Sequence, residues 1–175
     1  VILKPKDEVA FTRIVNVPTR GIGKTTLERL DELAFQMGVS LIEATSTAVD
    51  QREFNAGTVS KLRGFLDLLQ RLRETARTMS LQDFYHFLID ETKYIQRLKE
   101  EDSVEADSRI DNLQELSNSI SRFSEERGEE GNLHTFLEEV SLMTDADEKA
   151  DPSSLVTLMT LHVSKGLEFP VVFLV

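Results

Sequence analysis

The stretch "PTRGIGKTT", Pro18 to Thr26, decides how the rest of this chain is read. It ends Gly-Lys-Thr, as a phosphate-binding P-loop does. That loop requires Gly-x-x-x-x-Gly-Lys-Ser/Thr between a strand and a helix. Counting back from Gly23, its first glycine would fall at residue 18, and Pro18 stands there. Proline has no N–H to offer a phosphate and a fixed φ. The acidic run "FLIDE" (87–91) fails as the partner strand, because its apolar residues continue a helical stripe. An independent P-loop NTPase is therefore disfavoured. The same residues also suit a hairpin of two helices. Gly21 and Gly23 both permit φ > 0, and Thr25 or Thr26 can cap a helix beginning at Leu27. A short helix over "DEVAFTRIV" (7–15) precedes the turn. The second helix then points its unbonded N–H groups outward beside Arg20 and Lys24, an arrangement that attracts anions. A repeating backbone phosphate is a natural ligand; a turn that is only structural is the other reading.

Outward from this turn the chain is patterned for helices. "TLERLDELAFQMG" (26–38) spaces Leu27, Leu30, Leu33, Ala34 and Met37 by three or four, and Gly38 sits where a helix stops. "VSKLRGFLDLLQRLRETA" (59–76) repeats the pattern through Val59, Leu62, Leu66, Leu69 and Leu72. Ser80, with Asp83 three residues on, reads as a cap for "SLQDFYHFLIDET" (80–92). "RIDNLQELSNSISRF" (109–123) and "NLHTFLEEVSLM" (132–143) carry further stripes. "TDADEKADPSS" (144–154) has no apolar period and reads as a mobile linker. Beyond it, "SLVTLMTLH" and "FPVVFLV" read as two buried strands around "VSKGLE". The fold expected is mainly α, with two carboxy-terminal strands that belong to an adjoining sheet.

Composition narrows the function classes. The 175 residues carry a net charge of −11, no cysteine and three histidines. Disulfides and thiolate metal sites are excluded, and no run approaches the ~20 apolar residues of a membrane helix. No signal peptide is apparent, so a cytoplasmic protein is expected. The charge argues against a general nucleic-acid coat, yet it is uneven. Residues 1–30 carry Lys4, Lys6, Arg13, Arg20, Lys24 and Arg29 against Asp7, Glu8 and Glu28, and residues 52–77 are similarly basic. Acid concentrates in residues 90–130 and 144–151. A basic face opposed to an acidic one is one interpretation; ordinary solvated helix surface is the other. The missing initiator Met and the apolar carboxy-terminal end suggest a piece of a longer protein.

"FTRIVNVPTRGIGKTTLE" (11–28) resembles the segment that opens the 2B subdomain of UvrD/PcrA/Rep-type superfamily 1 DNA helicases, with its Asn-x-Pro-x-Arg-Gly-Ile-Gly signature. "VTLMTLHVSKGLEFPVVFLV" (156–175) is similar to motif V of the same family. The family separates the two by a helical insertion of about this length. The resemblance implies a helical 2B-type body over 1–150, hinged near 1–8 and 144–154, and a motif V strand–loop–strand over 155–175 from a RecA-like motor domain. It implies that Arg20, Gly21, Ile22, Gly23, Lys24, Thr25 and Thr26 meet duplex DNA backbone, and that Thr160 and His162 meet the single strand. It also implies that Glu168, with Lys165 and Gly166 shaping the loop, approaches bound ATP in the parent. Taken alone, His162 reads as a packing histidine and Glu168 as surface charge.

The function expected is that of a fragment of an ATP-dependent 3′-to-5′ DNA helicase. It contributes duplex contact and regulation and hydrolyses nothing alone, since phosphoryl transfer needs parts that this stretch lacks. ATP and Mg serve the parent, and no metal or cofactor is expected on the fragment. DNA at a duplex–single-strand junction is the expected partner, in the bacterial cytoplasm and nucleoid. The alternative is a protein-interaction module whose acidic helices dock repair or replication proteins. The two apolar strands, cut from their sheet, would also favour self-association.

Overall fold

Asp7 opens the first helix, accepting a hydrogen bond from the amide of Ala10 at 2.9 Å. Helix α1 runs from Glu8 to Ile14. After the turn, α2 covers Lys24–Met37 and ends where Gly38 takes a left-handed φ of 66°, which suits a residue without Cβ. The sequence expectation put the start of α2 at Leu27 under a threonine cap. The helix instead begins at Lys24 with Gly23 at the cap position, so Thr25 and Thr26 lie within its first turn. This computed structural model describes residues 1–149, 159 and 171–173.

The remaining helices are α3 (Leu41–Asp50), α4 (Ala56–Thr75), α5 (Leu81–Thr92), α6 (Tyr94–Glu101), α7 (Val104–Arg127) and α8 (Leu133–Lys149), with a short 3-10 turn at Gly128–Glu130 before α8. Side chains set the starts. Asn55 accepts from the Thr58 amide, and Ser103 accepts from that of Ala106. Ser80 and Asp83 pair as the sequence pattern indicated, with the Asp83 amide donating to Ser80 Oγ at 3.1 Å. Such caps stabilise a helix by about 1 kcal/mol. Helices α3 and α6 have no counterpart in the periodicity reading. They are short, ten and eight residues, and α3 packs through small residues, Ala44, Thr45 and Ala48, beside Leu41 and Val49.

The fold is mainly α, and the described residues contain no strand. The two expected strands, 154–162 and 169–175, fall largely outside the described residues. Helix α8 continues to Lys149, through the first half of the stretch expected to be a linker. Residues 144–149 contain neither Gly nor Pro, the two residues that disfavour a helix interior most strongly.

By packing, the chain divides into Val1–Glu138 and Glu139–Val175. In the first unit, one apolar cluster joins α1 to α4 through Phe11, Val15, Ile22, Leu30, Leu62 and Phe65. A second joins α5, α7 and the start of α8 through Leu81, Tyr85, Ile120 and Phe123. A third, on Leu68, Leu72 and Phe84, connects α4 to α5. The 20 residues of α4, about 30 Å at 1.5 Å each, therefore serve both halves of the body. Among the described residues, no helix is long and apolar enough to cross a membrane.

Candidate nucleic-acid interface

The turn between α1 and α2 is built from the inside. The side-chain Oδ1 of Asn16 accepts from the amides of Arg20 at 2.8 Å and Ile22 at 3.2 Å. One side chain thus supplies the acceptor for two loop amides that no helix satisfies. Ile22 is 1% exposed and pegs the loop into the first apolar cluster. The Val17–Pro18 peptide is cis.

Arg20 lies half-buried under the loop. Its Nη1 donates to the carbonyls of Ile14 (3.0 Å), Val15 (3.3 Å) and Pro18 (3.2 Å). These include carbonyls at the end of α1, which a helix leaves without partners. Its guanidinium stands 5.2 Å from the centroid of the Phe65 ring, a cation–π arrangement. Phe65 in turn meets Phe11 edge-on at 5.5 Å. Burial draws the Arg20 guanidinium below the ordinary arginine value.

The outer face differs. Gly21 has a φ of +69°, where an L side chain is strained. Lys61, from α4, lies across it: its Nζ donates to the Gly21 carbonyl at 3.2 Å. A Cβ at residue 21 would stand 2.8 Å from that Nζ. Gly23, which also permits φ > 0, does not use that freedom; its φ is −86°, and nothing lies within 4 Å of where its Cβ would be. The fold therefore does not demand glycine at 23. The amides of Thr26 and Leu27 turn back to the Gly23 carbonyl, whereas those of Lys24 and Thr25 have no acceptor among the described residues. Lys24 is exposed and pairs with Glu28 at 3.6 Å, both groups in water, a contact worth at most a few tenths of a kcal/mol.

The turn thus brings Arg20, Gly21, Ile22, Gly23, Lys24, Thr25 and Thr26 together, with Arg20 and Ile22 inward and Gly23, Lys24 and Thr25 outward. Thr160, His162, Lys165, Gly166 and Glu168 lie outside the described residues. Lys61 was visible in the sequence only as one charge in the basic stretch 52–77; its place at the turn depends on how α4 packs. Asn16 stood in the signature, but without geometry it carried no role. A shallow groove of about 500 Å³ beside Ile89, Lys93 and Glu100 contains none of the residues expected to meet DNA or ATP.

Helix α1, rather than a strand, precedes the Gly-Lys-Thr run, and Pro18 occupies the position of the first P-loop glycine. These residues do not fit a nucleotide phosphate cradle. A comparison with protein families is decisive: the family described as UvrD-like helicase C-terminal domain matches residues 1–175. The chain belongs to this family. This UvrD-like domain is 37% identical over 180 residues to the ATP-dependent DNA helicase PcrA of Bacillus subtilis (strain 168), covering 99% of the chain and 24% of that protein. It is 33% identical over 180 residues to the PcrA of Leuconostoc citreum, covering 100% of the chain and 24% of the relative. It is also 34% identical over 175 residues to that of Staphylococcus epidermidis (strain ATCC 12228 / FDA PCI 1200), covering 99% and 24%. The UvrD-like domain spans about a quarter of the length of these curated relatives.

Proposed function

We propose that this UvrD-like domain is the duplex-engaging body of an ATP-dependent 3′-to-5′ DNA helicase, acting in the bacterial cytoplasm on DNA at a duplex–single-strand junction. The observation that carries the reading is the outer face of the α1–α2 turn. Gly23 leaves open space over the first turn of α2, where the Lys24 and Thr25 amides have no acceptor among the described residues and the Lys24 ammonium is exposed. Short donors without bulky neighbours let a phosphate approach the backbone, and they read no base edge. Binding is thus independent of sequence, as a translocating enzyme requires.

ATP and Mg would be held elsewhere in the parent. In this domain only Lys165, Gly166 and Glu168 are candidates for the nucleotide, and Thr160 and His162 for the single strand. The described residues contribute no step of phosphoryl transfer; their part is to hold the duplex and to move as a body about residues near 1–8 and 144–154.

Binding of a fluorescent duplex–single-strand junction, followed from about 50 to 200 mM salt, tests the reading. Wild type should bind with a negative slope of log affinity on log salt. Lys24→Ala should weaken binding to unrelated sequences alike and reduce the slope by about one unit. Affinity and slope unchanged by Lys24→Ala and by Gly23→Ser together would leave the turn purely structural.

A further inference from the structure

We propose that Lys61, on α4, is a duplex-contacting cation of the turn, and that Arg20 is its internal scaffold; this rests on the duplex-engaging reading above. Three cations stand at the turn, and their surroundings differ. Arg20 has Nη1 directed to three carbonyls and its plane over Phe65. A guanidinium held in this way fixes the loop and has little freedom to turn outward. Lys24 shares its charge with Glu28. Lys61 is exposed and makes no ion pair with a carboxylate among the described residues. Among the described residues its ammonium bonds the Gly21 carbonyl alone, which occupies one of the three ammonium donors. The other two remain for a ligand lying on the turn.

Glycine at 21 is required by its φ of +69°. The end of the Lys61 side chain lies where a Cβ would stand, Cε at 3.3 Å and Nζ at 2.8 Å, so a side chain there would push the flexible ammonium aside. The bare backbone of Gly21 is a seat that holds the ammonium at the turn's outer surface. This arrangement joins α4 to the turn across 40 residues of sequence, so the charge arrives prepositioned and little side-chain freedom is lost on binding.

The test is junction binding against salt for the 175-residue chain and its variants. Lys61→Met keeps the apolar stem and removes the charge. It should lower the salt slope by about 0.9 and weaken binding several-fold at low salt, while the helical signal and melting temperature hold. Lys61→Arg should restore the slope. Gly21→Ala, which displaces the ammonium, should be non-additive with Lys61→Met in a double-mutant cycle. Arg20→Met should lower the melting temperature and leave the slope of the folded protein unchanged. Wild-type binding with an unaltered slope in Lys61→Met would overturn this assignment alone, as would a full unit lost in Arg20→Met. A wild-type chain without salt-dependent duplex binding would overturn both this inference and the reading beneath it.

Discussion

At residue 16 a single side-chain oxygen holds the loop. Asn16→Ala would leave the amides of Arg20 and Ile22 without their acceptor in a half-buried site. Each unsatisfied amide costs about 1–3 kcal/mol, reduced where water can enter. A loss of roughly 2 kcal/mol in urea unfolding is expected, with weaker junction binding as the turn loosens. Gly23 offers the opposite test. Serine is a better helix cap than glycine by a few tenths of a kcal/mol, and the backbone at 23 accommodates any residue. Gly23→Ser should therefore keep or slightly raise the melting temperature. Its hydroxyl would nevertheless take up amides of the first turn and fill the open space, so affinity for the junction should fall. Stability and binding moving in opposite directions would mark a residue kept for its ligand; a loss of both would show that glycine serves the fold.

At the scale of the element, helix ends and helix pairs respond separately. Helix α3 starts at a cap in which the Ser40 amide and hydroxyl both donate to the Glu43 carboxylate, at 2.9 and 2.6 Å. The Ser40 hydroxyl, then its amide, hold the Glu43 carboxyl below its ordinary value of 4.5. A depressed carboxylate contributes stability that is present above the unfolded value and is lost as pH falls through the folded one. The difference between wild type and Glu43→Gln should therefore shrink between about pH 6 and pH 3, read by urea midpoints. A constant difference would mean that the Glu43 charge does not strengthen the cap. Helices α5 and α7 are joined by Tyr85, whose hydroxyl donates to the Leu113 carbonyl at 2.6 Å. Burial raises its phenol value, which favours the neutral donor. Tyr85→Phe removes the donor and keeps the ring in its cluster, so a loss of about 1 kcal/mol is expected. A neutral outcome would mean that water replaces the bond.

For the whole molecule the question is what the helical body needs. The described apolar clusters draw on residues from Val1 to Phe136. A chain ending at Lys149 should keep its helical signal and its melting temperature within about 2 °C, since no cluster residue is removed. Unfolding of that chain would show that the last 26 residues belong to the core. The segment 1–8, where a hinge is expected, begins with residues held by the body. Val1 and Ile2 pack against two different clusters, and Arg73 Nη2 donates to the Val1 carbonyl at 3.2 Å. The exposed residues 3–6 lie between this anchor and the Asp7 cap. If the body swivels in a longer protein of the proposed helicase type, label-to-label distances from α4 to the proposed motor domain should fall in two populations that DNA redistributes. One narrow population with and without DNA would count against a hinge.

Helical periodicity, the stop at Gly38, the Ser80–Asp83 cap and the family resemblance could all be read from the chain because each is local: a period, a cap spacing or a contiguous signature needs no distant partner. Helices α3 and α6 could not, since their ten and eight residues hold only two to three turns, too few repeats for a helical period to stand out from a short apolar run. The turn shows the division most sharply. Its glycines and charges were legible, and so was their proximity along the chain. Which glycine needs positive φ, which arginine faces inward, and which lysine arrives from 40 residues away were decided by packing. Burying Ile22 and Phe65 in one apolar cluster draws α4 beneath the loop, and that single placement turns Arg20 inward and lays Lys61 over Gly21.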